Sequence, residues 1–141
     1  MAAVKGVNAT KADFPIGSSI IDQGTMNSKV VAVYDQYTAA ALETASTITM
    51  GGKIPKGARI VDLVLFSDDM GSTVTMKVGD AGDDDRYIAA GSNVTNANDR
   101  AALNLTAGFG YQVTGVNDDQ IVITTAGIWT GTIKMILEYM I

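Results

Sequence analysis

Between Ile54 and Tyr87 the chain reads Ile-Pro-Lys-Gly-Ala-Arg-Ile-Val-Asp-Leu-Val-Leu-Phe-Ser-Asp-Asp-Met-Gly-Ser-Thr-Val-Thr-Met-Lys-Val-Gly-Asp-Ala-Gly-Asp-Asp-Asp-Arg-Tyr. Two β-branched, apolar runs, Ala58–Ser67 and Thr73–Val78, flank Asp68-Asp-Met-Gly-Ser72, whose residue types bend a chain by local hydrogen bonding and by positive φ. A second acidic turn, Asp80–Asp85, follows at once. Runs this short, closed at both ends by turn chemistry, exclude a helical fold and predict antiparallel strands. In the first run strict alternation puts Val61, Leu63 and Leu65 on one face. Ile60, Val64 and Phe66 then share the other with Asp62, so the strand is expected to be covered on both sides, in a two-layer sandwich by something extra such as an N-terminal arm or another subunit.

The same punctuation continues along the chain. Strands are expected at Val30–Tyr34, Ser46–Met50, Tyr87–Ala90, Ala102–Leu105, Phe109–Val113, Gln120–Thr125 and Thr132–Met140. Within them Ile48 and Met50, then Val74, Met76 and Val78, and finally Ile133, Met135, Leu137, Tyr139 and Ile141 take the inward parity. Thr38–Thr44 (Thr-Ala-Ala-Ala-Leu-Glu-Thr) reads as one helical turn. Asn117-Asp118-Asp119 is read as a hairpin turn. Eight or nine short antiparallel strands predict an all-β fold, an antiparallel β-sandwich wound in a jelly-roll-like manner.

Residues 1–28 differ from the rest, with isolated apolar residues among small polar ones and no sustained alternation. They suit either a frayed terminus with one short strand near Ser19–Asp22 or an extended N-terminal arm that buries Phe14, Ile16, Ile20 and Ile21 on a partner. The anchors favour the arm, so the chain is divided into an arm, 1–28, and a sandwich domain, 29–141.

Composition narrows the function. Of 15 acidic residues 13 are Asp, a turn former, and two are Glu, a helix-face residue. Val, Ile and Thr fill 41 positions, again the mark of strands. Only 18% of residues are charged, against about 25% in typical domains, so the surface is better suited to burial against other subunits than to a solitary monomer. A net charge of −5 with scattered Lys and Arg argues against nucleic-acid binding. No apolar run approaches the roughly 18 residues of a membrane span, and no secretory signal is seen. The expectation is a soluble protein made in a host cytoplasm.

Chemistry is scarce. The chain has no His and no Cys, removing the commonest general base and the thiol nucleophile. No catalytic or nucleotide-binding motif is found. No enzyme activity and no cofactor is expected. One candidate metal site remains, Asp80 with Asp83, Asp84 and Asp85, because calcium takes several carboxylate oxygens from a flexible loop. The competing interpretation is a solvated turn in which Arg86 pairs locally. Trp129, the single Trp, is either a partly buried loop anchor or an interface residue.

Several segments resemble the small structural proteins of tailed-bacteriophage virions: Val4-Lys-Gly-Val-Asn-Ala-Thr10, Ile54-Pro-Lys-Gly-Ala58, Asp68-Asp-Met-Gly-Ser72, Val78-Gly-Asp80 to Asp85-Arg-Tyr87, and Gly131-Thr-Ile-Lys134 with Tyr139. The resemblance implies a capsid decoration (cement) protein, commonly a trimer, on the outer capsid surface of the virion, with the major capsid protein as partner. It implies no catalytic residues. The arm, around Phe14, Ile16, Ile20 and Ile21, is itself expected to make the shell contact. A head fibre, a receptor- or glycan-binding tip, and a tail or connector component are the alternatives within the same resemblance.

Overall fold

The computed structural model describes residues 29–91 and 99–141. The arm residues Phe14, Ile16, Ile20 and Ile21, and most of the polar loop after Gly91, lie outside the described residues. Eight strands are present among the described residues: β1 (Val30–Leu42), β2 (Thr47–Met50), β3 (Arg59–Ser67), β4 (Thr75–Gly79), β5 (Ile88–Gly91), β6 (Asp99–Ala102), β7 (Ile121–Ala126) and β8 (Trp129–Met140).

They form two four-stranded sheets, in the orders β1-β8-β3-β6 and β2-β7-β4-β5. Every ladder is antiparallel, including β1–β8, β2–β7, β3–β6 and β4–β5. Those four pairings are the rungs of one long hairpin ribbon; β3–β8 and β4–β7 are the contacts made when the ribbon rolls on itself. This winding is the jelly roll, and the all-β sandwich expected from the sequence is the fold observed.

Alternation decides which side chains meet between the layers. Ile133, Met135 and Leu137 of β8 are fully buried against Leu63 and Leu65 of β3, and Val78, Ile121 and Ile123 come from the facing sheet. Asp69 acts as the turn acid foreseen, its carboxylate accepting the Gly71 amide at 2.8 Å, whereas Asp68 reaches out of the turn and accepts the Thr132 amide of β8 at 2.8 Å.

Five local expectations are corrected. Thr38–Leu42 is strand and not helix, because β1 pairs along β8 past Ala39, with an irregularity before Leu42 and Ala41 at φ 55. In β3 a register shift between Ile60 and Asp62 inserts one residue, so Ile60 joins Leu63 and Leu65 in the core and Val61 is left half-buried. Phe66, whose cover was expected from beyond the two layers, is 45% exposed among the described residues, which leaves that expectation open. Around Phe109–Val113 only a single bridge forms, Arg59 with Gln112, and β6 closes at Ala102 where a strand was expected to begin. Ile141 is half-exposed beyond the end of β8.

Candidate interaction surfaces

The acidic turn is built around a buried carboxylate. Asp80 follows β4 and is 1% exposed. Its Oδ1 accepts the amides of Gly82 and Asp83, both at 2.9 Å. Its Oδ2 accepts Arg86 Nε at 2.6 Å and the Tyr87 hydroxyl at 3.2 Å. Gly79 is required beside it, since a Cβ there would lie 2.0 Å from the Asp83 carbonyl oxygen.

Burial alone would weaken the Arg86 charge, but the hydrogen bond and charge of Asp80 outweigh it and raise the guanidinium pKa. Burial, reinforced by Asp80, pushes the Tyr87 hydroxyl far above its ordinary range.

A second buried carboxylate closes the neighbouring loop. Asp118, 2% exposed, accepts the amides of Thr114, Gly115 and Val116 at 2.9, 2.9 and 3.1 Å, and the Tyr111 hydroxyl. Burial opposes its ionisation, yet the Tyr111 and Thr114 bonds prevail and hold it well below the usual carboxylate range. Tyr111 is pushed up to about 12, first by that hydrogen bond and then by burial. Arg86 lies 3.9 Å from the Tyr111 ring centroid and so joins the two loops by a cation–π contact.

The four aspartates proposed for a metal therefore divide. Asp80 is committed to Arg86, Tyr87 and two backbone amides. Asp83, Asp84 and Asp85 keep carboxylate oxygens within 4.8 Å of one another, but Lys77 pairs with Asp84, and Arg86 lies 4.0 Å from Asp83. Local pairing by Arg86 is observed, directed at Asp80 above all. Trp129 is the first residue of β8 and is 2% exposed, with no acceptor for its Nε1 among the described residues. Its side chain fills the core and offers no surface to a partner.

The surface that remains was foreseen from the sequence only in part, through the second apolar face of β3 with Val64 and Phe66. On the outer face of the β1-β8-β3-β6 sheet, Tyr34 is opposite Ile136, Ile136 opposite Val64, and Val64 opposite Ala102. Residues directly opposite in a ladder share a face at about 5 Å, so these four make an apolar row across the whole sheet. Tyr34 is 60% and Ile136 46% exposed, and Phe66 adjoins the row. The outer face of the other sheet is different, carrying Thr47, Thr49, Thr75, Lys77 and Thr124. The signal was legible in Val30–Tyr34 and in Ile136, apolar at both parities, which a strand covered on one side does not need.

Beside this row runs a free sheet edge. Among the described residues β1 pairs with β8 alone. Lys29 and Ile141 exchange both backbone hydrogen bonds, so by alternation Val30, Ala32, Tyr34, Gln36 and Thr38 direct theirs away from β8. At Gln36 the amide is already taken by the Asp35 carboxylate at 2.8 Å. The edge is thus open from Val30 to Tyr34. On its inward side Val31 and Val33 are only half-buried against the core.

Fold and loops together define a jelly-roll domain whose buried charges hold its loops. No family model matches the sequence, and no curated protein matches it. Solved structures do. A chain of the cyanophage Pam1 capsid asymmetric unit superposes with TM-score 0.72 at 22% identity, covering 100% of this chain and 99% of that one. A chain of the capsid of Ralstonia phage GP4 gives 0.61 at 21% identity, covering 79% and 84%. One from the acid-stable capsid of Helicobacter pylori bacteriophage KHP30 gives 0.55 at 11% identity, covering 79% and 87%. What this chain shares with them is the fold.

Proposed function

We propose that this protein is a non-enzymatic structural component of a tailed-phage head, a decoration (cement) protein that binds the outside of the shell and holds neighbouring capsid subunits together. The observation that carries this is the end-to-end likeness to a chain of a phage capsid asymmetric unit, with 100% of one chain matched to 99% of the other. The surface supports the same role. An exposed apolar row on one sheet and a threonine-rich face on the other suit a small domain seated between neighbours.

The partners are the major capsid protein and further copies of this chain, in a homotrimer; neither nucleic acid nor membrane is involved. Residues 1–28, with Phe14, Ile16, Ile20 and Ile21, supply the apolar anchors for that contact. Burial of such anchors at about 25 cal/mol per Å² across an interface of standard size suffices for retention after association costs are met.

Purified particles test the proposal. On a stained gel the band should approach the major capsid protein in copy number, and the protein should rebind heads from which it has been stripped. Copies on the scale of a single vertex or tail, with no rebinding to stripped heads, would replace cement by a connector, tail or fibre role.

A further inference from the structure

We propose that the free edge of β1 is completed by Ser19-Ile20-Ile21-Asp22 of a neighbouring copy, added as a ninth strand to the β1-β8-β3-β6 sheet. This rests on the oligomeric role above and names which contact the arm makes. Three observations carry it. The first is the edge itself. The amides of Val30, Ala32 and Tyr34 point outward, and the opening stops where Asp35 takes the Gln36 amide at 2.8 Å. A stretch of that length accepts a strand of four or five residues, and long apolar edges are otherwise blunted in soluble proteins.

The second observation is that both sides of this edge lack cover. Val31 and Val33 on the inner side are half-buried, and Tyr34 on the outer side is 60% exposed. Successive residues of a strand face opposite ways. The adjacent pair Ile20-Ile21 therefore sends one side chain over Val31 and Val33 and the other onto the outer row beside Tyr34.

The third is the connection. Seven residues, Gln23–Lys29, separate this segment from β1. Hairpin loops usually hold about 2–5 residues, and no Asn-Gly or Asp-Gly pair lies here to close one. Stretched out, the connection reaches about 24 Å, enough to cross to an adjoining subunit. Such a donation can close into a ring, as the proposed trimer requires, and a reciprocal two-fold pair would satisfy the same contact. Phe14 and Ile16 remain beyond the added strand, free to meet the shell.

The chain has no cysteine, so a pair can be placed at will. In the full chain carrying Ile20→Cys and Ala32→Cys, a short flexible bismaleimide should yield covalent species larger than one chain on a denaturing gel. Closure within a single chain, or no cross-link at all, overturns the proposal. Independently of register, amide exchange at Val30, Ala32 and Tyr34 should be slowed in the native full chain. It should accelerate about tenfold or more in Ile20→Asp/Ile21→Asp, with β3 and β8 unchanged; equal rates in the two proteins overturn it. Loss of head binding by a protein that still cross-links between copies would count against the cement role and leave the strand exchange standing.

Discussion

Asp118 shows at the scale of one residue how this protein handles charge. Its carboxylate is nearly inaccessible and collects three amides and two hydroxyls. Asp118→Asn keeps the shape and removes the charge, and is expected to cost about 2–3 kcal/mol, read as a lower midpoint in urea. The pH dependence has a definite sign. The folded carboxyl sits below its ordinary 3.8, so the stability it contributes is complete above about that pH and is lost as the pH falls through the lower folded value. Wild type should lose more stability than Asp118→Asn on acidification below 4, which paired melts would register. For Asp83, Asp84 and Asp85 the expectation is that EDTA leaves the melting temperature unchanged. A fall of several degrees would assign a cation to that turn.

Strands β1 and β3 mark how far elements can be read from a sequence. Alternation through Thr73–Val78 and along β8 places Val74, Met76, Val78, Ile133, Met135 and Leu137 in the core, and there they are. In β3 the alternation misleads, because a bulge is a single extra residue without a composition of its own, and it moves every later side chain to the other face. Ile60→Ala is expected to cost about 3 kcal/mol, while Val61→Thr costs under about 1 kcal/mol; comparable losses from both would mean that the strand runs unbulged. In β1 the run Thr-Ala-Ala-Ala-Leu has helical preference, and pairing with β8 overrides it. The buried roles of Asp80 and Asp118 were hidden for a related reason. Turn aspartates look alike in sequence, and only the fold brings Arg86 and Tyr111 beside them.

At the scale of the molecule the two sheets face their surroundings differently. The apolar row of Tyr34, Ile136, Val64 and Ala102 lies outside the core, so removing it should spare the fold and weaken association. Tyr34→Thr with Ile136→Thr keeps strand-forming side chains and should melt within a few degrees of wild type. Sedimentation should then show self-association at least about tenfold weaker, in line with loss of aromatic anchors from an interface. Unaltered association would move the contact to the threonine-rich face or to the loops carrying Phe109, Val116 and Ile128, all more than 60% exposed.

Lys29 and Ile141 clasp each other through 3.2 and 3.0 Å backbone hydrogen bonds. Residue 29, where the described chain begins, and the far end of β8 are therefore one place. A circular permutant that ties residue 141 to residue 29 and opens at the Lys53 turn would keep every described ladder. Equally, cargo joined at Ile141 would crowd the spot where residue 29 meets β8, so a displayed epitope belongs in a loop at the opposite end of the roll.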